Sequence, residues 1–212
     1  GRDAAAATGR KSMSTPKIKI CGLTRVCDIA WVNAYRPDYA GFVFAKSRRQ
    51  VTDEQAATLK QQLSSAIAAV GVFVNDPPEH ILSLVQRGVI DVIQLHGQED
   101  EDTLRYLKHH AACPVIRAVS MSTQSVEAFA ASQADFLLLD NGAGGTGQCF
   151  DWSRTADIPK PFFLAGGLNI DNVAEGIRRF HPFGVDISGG VETDGYKDET
   201  KIKNIIRRIR YE

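Results

Sequence analysis

From Lys17 onward the chain alternates between two hydrophobic rhythms. Short apolar and β-branched runs read as strands: KIKIC (17–21), YAGFVF (39–44), AIAAVGVFV (66–74), VIDVIQL (89–95), PVIRAV (114–119), DFLLLD (135–140), PFFLAG (161–166) and GVDIS (184–188). Between them lie stretches with helical periodicity and readable caps. Thr52 with Gln55 three residues later is a capping-box signature before 53–64. Asp76 and Pro77 read as a cap and a first-turn proline, with Ile81, Leu82 and Val85 on one face. Asn169 precedes Ile170, Val173, Ala174 and Ile177 at i, i+3, i+4, i+7. The last stretch repeats that spacing with Ile202, Ile205, Ile206 and Ile209. Asp198 and Glu199 lie at its start and Arg207, Arg208 and Arg210 at its end, as the helix dipole favours.

Strict alternation of strand and helix predicts a parallel sheet covered by helices. Eight such units without a linker or composition shift predict an α/β fold, a single-domain (β/α)₈ TIM barrel over 16–212. A doubly wound open sheet is the rival, but no G-x-G-x-x-G follows the first run. Residues 1–15, GRDAAAATGRKSMST, are small, polar and aperiodic. They are expected to lie outside the fold, as a disordered leader, a transit-peptide fragment or, by preference, a cloning remnant with Met13 as the native start.

Composition adds exclusions. Hydrophobic residues make up 43% and charged residues 24% of the 212, so a disordered chain, a collagen or a disulfide mini-protein is excluded. No run reaches the ~18 apolar residues of a membrane span. Twenty-five basic and 25 acidic residues cancel, which gives no reason to expect a nucleic-acid or membrane partner. The four cysteines, Cys21, Cys27, Cys113 and Cys149, form no C-x-x-C pair, so neither a metal site nor a disulfide framework is expected. A reducing compartment follows, and the cytoplasm is the expected location.

Residues that a core does not ask for gather at the C-terminal ends of the strands, the face that carries active sites in such barrels. They are Cys21-Gly22, Ser47-Arg48-Arg49, Gln94 with His96, Asp140, Gly166-Gly167 and Ser188-Gly189-Gly190. Any one glycine there is explained by a tight turn; six of eight ends together are not. LAGGLN (164–169) and ISGGVE (187–192), at strands 7 and 8, suit a phosphate, because glycine admits a close backbone and a following helix offers N–H groups. Lys19 and Cys21 share one strand face, as do Asp186 and Ser188. Strands 1 and 8 are neighbours in a closed barrel, so an inward Lys19 is expected to pair with Asp186 and to lower the thiol pKa of Cys21.

The motifs KICGLT (19–24), GFVF followed by S-x-R (41–49), QLHG (94–97), LLLDNGAGGTGQCFDW (137–152), LAGGLN and GVDISGGVETDGYKDETKI (184–202) together resemble the phosphoribosylanthranilate isomerase family of tryptophan biosynthesis. The resemblance runs in family order over nearly the whole chain. It implies a (β/α)₈ barrel, an aldose–ketose isomerase and an Amadori rearrangement of N-(5-phosphoribosyl)anthranilate, with no metal or organic cofactor. It further implies Cys21 as general base, Asp140 as general acid and Arg49 on the anthranilate carboxylate, with neighbouring Arg48 as the other candidate. His96, Gly166, Gly167, Ser188, Gly189 and Gly190 are the remaining substrate-binding candidates. The partner implied is a small phosphosugar–anthranilate, not nucleic acid or membrane, with a monomer or homodimer as the assembly.

Three other readings compete. The related sugar isomerase of histidine biosynthesis places an aspartate where Cys21 stands. Indole-3-glycerol-phosphate synthase needs a lysine and a glutamate in early-strand motifs that are absent. A non-catalytic phosphosugar-binding barrel would have no need of Cys21 and Asp140 together. His109-His110 are expected at a helix end, Cys27, Cys113 and Trp31 as packing residues, Cys149 as a loop thiol, and Trp152 as a loop anchor or site neighbour.

Overall fold

Eight parallel strands close on themselves in chain order, each hydrogen-bonded to its sequence neighbours and β8 to β1. They are β1 (Lys17–Cys21), β2 (Tyr39–Val43), β3 (Ala68–Phe73), β4 (Val92–Leu95), β5 (Val115–Ser120), β6 (Phe136–Asp140), β7 (Phe162–Ala165) and β8 (Gly184–Ile187). The architecture is the expected (β/α)₈ barrel. The structure, a computed structural model, describes residues 14–140, 158 and 160–212. Most of the expected leader, the GGTG loop, Cys149 and Trp152 lie outside the described residues. Six α-helices are described: α1 (Val26–Tyr35), α2 (Asp53–Gln62), α3 (Pro78–Gln86), α4 (Glu101–His110), α5 (Val173–Phe180) and α6 (Glu199–Tyr211). A two-stranded hairpin, β9 (Glu192–Thr193) and β10 (Tyr196–Lys197), precedes α6. Among the described residues, no helix is long and apolar enough to cross a membrane.

The caps follow the sequence with two exceptions. Thr52 and Gln55 form the expected capping box on α2. Asp198 caps α6 by accepting the Lys201 N–H. Ile202, Ile205, Ile206 and Ile209 are all buried. Each contributes about 1.5–3 kcal/mol, against about 1 kcal/mol for a cap, so packing of the apolar stripe dominates this helix. The α3 cap, however, is Pro77 rather than Asp76, and Pro78 opens the helix. Asp76 is drawn away by His80, whose Nδ1 lies 2.7 Å from its Oδ2. The stretch after Asn169 does not enter α5 directly. Asn169 Oδ1 accepts the N–H groups of Asp171 and Asn172, and this local turn delays the helix to Val173. Between β5 and β6 the expected α-helix is a 3₁₀ turn, Val126–Phe129, in a stretch rich in Ser, Thr and Gln.

Two apolar layers hold the fold. Outward-facing strand residues such as Ile18, Ile20, Phe42 and Ile93 pack against the helices. Inside the barrel, Val70, Val92, Ile116, Leu138 and Phe163 form a separate cluster. An aromatic plug of Tyr39, Phe136, Phe163 and Phe183 closes the N-terminal end, with Phe163 edge-on to Tyr39 at 5.4 Å. That end is stitched by aspartates preceding alternate strands. Asp38, Asp91 and Asp135 accept the N–H groups of Ile18, Ala69 and Val115 at 2.8–2.9 Å. Stability thus resides at this face, and the opposite face is left for chemistry.

Candidate active site

Cys21 is the last residue of β1 and points into the barrel. The loop after it, CGLTR, is fixed by backbone bonds on both sides. Gly22 turns with φ +87°, and the N–H groups of Gly22 and Leu23 donate to the Gly41 carbonyl at 3.0 and 3.1 Å. The N–H groups of Thr24 and Arg25 both donate to Asp28 Oδ2 at 3.0 Å. The thiol also constrains its neighbour on β2. Cys21 is in register with Gly41, and a Cβ there would lie 2.5 Å from Cys21 Sγ. Ser188, just beyond β8, donates its hydroxyl to the Cys21 carbonyl at 3.0 Å.

Lys19 lies one inward position below Cys21 and is fully buried. The β1–β8 register sets it beside Asp186, and its Nζ donates to Asp186 Oδ1 at 3.0 Å, as expected. The expected fall in the Cys21 pKa is not found. Burial pushes the thiol up and Asp186 adds to that; Lys19 and Lys197 pull it down, and the net direction is upward. The nearby ammonium favours the thiolate, but desolvation of the thiolate outweighs it.

Across the barrel, β6 ends in Asp140. His96 Nε2 is 3.0 Å from Asp140 Oδ2, and Gln94 Nε2 is 2.9 Å from His96 Nδ1. The imidazole thus bridges the Gln94 amide and the Asp140 carboxyl. Gln94 is 1% exposed, and its Oε1 is a buried acceptor without a partner among the described residues. Gln94, expected only as a strand-end residue, thus holds the imidazole that contacts Asp140.

The arginines after β2 converge on a residue that the sequence reading missed. Arg49 donates from Nε to Glu192 Oε2 at 2.9 Å and from Nη2 to Oε1; Arg48 Nη2 donates to the same Oε1 at 3.0 Å. Arg49 is the more enclosed, at 24% side-chain exposure against 60% for Arg48. Glu192 also receives Lys197 Nζ at 3.0 Å, and the same ammonium donates to the Ser188 carbonyl at 3.1 Å. Burial pushes the Glu192 carboxyl up, but Arg49 and Lys197 outweigh it and hold it below its ordinary range. Lys197 is pulled below its ordinary value, because burial outweighs Glu192. The sequence signal was a glutamate directly after ISGGV, with a lysine five residues on.

Gly166 and Gly167 follow β7 with φ +90° and +72°. Asn172 Nδ2 donates to the Gly167 carbonyl at 2.9 Å and fastens this loop. Gly189 and Gly190 follow β8 in a short 3₁₀ turn, Gly189–Val191, rather than at the start of an α-helix. A Cβ on Gly190 would collide with the Leu168 carbonyl, so these two loops touch. Because β7 and β8 lie between β6 and β1 in the closed barrel, the glycine loops stand between Asp140 and Cys21. Among the described residues, no group of three or more His, Cys, Asp or Glu could hold a metal ion.

Known proteins resemble this chain over nearly its whole length. The family model for N-(5'-phosphoribosyl)anthranilate isomerase matches residues 18–208. The isomerase of that name from Endomicrobium trichonymphae is 45% identical over 199 residues, covering 92% of this chain and 98% of its own. A solved structure of monomers generated from the dimeric phosphoribosylanthranilate isomerase of Thermotoga maritima is 34% identical, with a TM-score of 0.80 over 92% of this chain and 98% of that one. A further structure, at 33% identity and TM-score 0.78 over 92% and 98%, is of phosphoribosylanthranilate isomerase in complex with reduced 1-(o-carboxyphenylamino)-1-deoxyribulose 5-phosphate. The chain belongs to the N-(5'-phosphoribosyl)anthranilate isomerase family, the aldose–ketose isomerases of tryptophan biosynthesis.

Proposed function

We propose that this chain converts N-(5-phosphoribosyl)anthranilate to 1-(2-carboxyphenylamino)-1-deoxyribulose 5-phosphate, with Cys21 as general base and Asp140 as general acid. The observation that carries the assignment is the pairing of two complementary groups on one barrel face. A buried thiol beside Lys19 ends β1, a carboxyl on His96 ends β6, and glycine loops stand between them. Asp140 gives a proton to the furanose oxygen as the C1–O bond breaks and the anilino nitrogen forms a Schiff base. The Cys21 thiolate then takes the C2 proton, which the Schiff base has made acidic. The resulting enolamine becomes the aminoketose when C1 gains a proton and the C2 hydroxyl loses one. C1 is reduced and C2 oxidised within one molecule, so no external oxidant is needed.

The other groups bind. Arg49, oriented by Glu192, receives the anthranilate carboxylate, for which a planar guanidinium is suited. The backbone of Gly166, Gly167, Gly189 and Gly190, with Ser188, receives the phosphate. His96 orients Asp140. The acid role requires a proton on Asp140 when substrate is bound, and burial under the sugar and the substrate's negative groups favour that form. A base with a free thiol is suited to a reducing compartment, which supports the cytoplasm. The proposed domain is the barrel over 16–212, as a monomer or homodimer; the Thermotoga relative is a dimeric enzyme.

Two substitutions test the roles. Cys21→Ser and Asp140→Asn should each lose roughly 10²–10⁴-fold in kcat while binding a reduced product analogue nearly normally. Near-normal kcat in either variant, or a defect confined to KM, removes that residue from proton transfer.

A further inference from the structure

A strand-paired lysine and aspartate lie directly beneath the proposed base. Lys19 is fully buried, donates from Nζ to Asp186 Oδ1 at 3.0 Å and shares the inward face of β1 with Cys21, two residues on. Placing this pair inside a barrel strips both ions of water, and buried ion pairs are often no more stable than apolar residues of like volume. The pair therefore calls for a reason other than stability. Lys19 hydrogen-bonds to Asp186, and the next inward residue above it on β1 is Cys21.

We infer that Lys19 is a positioning residue for Cys21: held by Asp186 on the inward face it shares with the sulfur, its ammonium sets the thiolate fraction of the base, and Asp186 restrains that effect. The inference rests on Cys21 as the base. The geometry gives the two partners opposite signs. The Lys19 charge favours the thiolate, so its loss suppresses it. Asp186 competes for Lys19 and repels a thiolate, so its loss promotes it. Thiolate formation releases the thiol proton to water, and Lys19 keeps its own; burial pulls the ammonium down, but Asp186 and Cys21 outweigh it and the net direction is upward. The other charged groups facing the sulfur are Lys197 on β10, which favours the thiolate, and the Arg49 guanidinium after β2. Both are held by Glu192 and are untouched by changes at Lys19 or Asp186.

The arrangement is a compromise. Burial raises the thiol, which makes its thiolate a stronger base, while Lys19 keeps enough of it ionised to act. A thiol without Lys19 would ionise less; one without Asp186 would ionise more readily but pull less on a carbon-bound proton.

The test reads the thiol itself. The ultraviolet absorbance of the Cys21 thiolate is titrated in substrate-free enzyme, with Cys21→Ser as the blank for Cys27, Cys113 and Cys149. Lys19→Met should move the titration to higher pH and Asp186→Asn to lower pH, each by about one unit, or tenfold in thiolate fraction below the midpoint. The acid limb of kcat/KM should move with it. A merely structural pair would give no shift, or shifts of one sign, and either result overturns the inference. Should Lys19→Met fail to fold, Lys19→Met with Asp186→Leu replaces the pair by apolar side chains and should give a smaller upward shift, because the loss of Asp186 offsets part of the loss of Lys19. Thiol titrations that move as expected while the kcat/KM limb stays fixed count against Cys21 as the base, which separates the failure of that reading from the failure of this one.

Discussion

The contact between Gly41 and Cys21 makes a sharp test of the site, because it displaces the base without changing it. In Gly41→Ala the new methyl would lie 2.5 Å from Cys21 Sγ and 3.1 Å from Cys21 Cα and Cβ. Ordinary carbon contacts need about 3.5–4.0 Å, so the sulfur must retreat by about 1 Å or leave its rotamer. The strands cannot part to relieve this, since Gly41 is locked between β1 and β3 by its register with Cys21 and Val70. Overpacking of this kind costs about 1–3 kcal/mol, and in a chain of this size about 2–4 °C of Tm per kcal/mol. Activity should suffer far more. Misplacing a reacting group by about 1 Å costs about 10²-fold, or about 2.7 kcal/mol in the barrier. The assay is steady-state rearrangement together with a thermal melt and the affinity for a reduced product analogue. The expected outcome is a folded variant that binds the analogue, melts several degrees lower and has lost about 10²-fold in kcat. A folded Gly41→Ala with kcat within about twofold of wild type would show that the sulfur position does not matter to the barrier, and Cys21 would not be the base.

Two further outcomes follow from other side chains. Arg49→Ala should reduce kcat/KM by roughly 10–10²-fold, because it removes a charge-assisted contact of about 1.5–3 kcal/mol, and the more exposed Arg48→Ala by much less; the reverse order in steady-state kinetics would exchange their roles. His80, tied to Asp76 at 2.7 Å and Asp53 at 2.9 Å, has its pKa raised: burial pulls it down, but the two carboxylates outweigh that. The native state therefore holds this proton more tightly than the unfolded chain. The stabilisation is fully present below the unfolded imidazole value of about 6.5 and is lost as pH rises through the higher folded value. The melting difference between wild type and His80→Gln should narrow with rising pH in that window; a constant difference would mean that the clasp is not ionic.

The sequence was enough for the barrel, for a reason that is local. Strand and helix periods are written in consecutive residues, and strict alternation leaves few topologies. The same logic located Cys21 and Asp140 at strand ends, since the last inward residue of a barrel strand reaches the active face whatever the rest of the chain does. Even the Lys19–Asp186 pair was legible, because closure makes β1 and β8 neighbours and strand alternation turns both residues inward. What the sequence could not supply depends on the summed environment at a point in space. The thiol pKa goes up rather than down because desolvation is a property of everything packed around the sulfur, not of the nearest lysine. Asp76 was misread as a cap because its partner is an imidazole one helical turn on, itself held by Asp53 on another unit. Glu192 was overlooked because its partners Arg48 and Arg49 are 144 and 143 residues away, and only the closed barrel sets a loop after β2 against the hairpin after β8. Local residue types chose the fold and nominated the chemistry; the tertiary structure decided which charges meet, and therefore how each one is held.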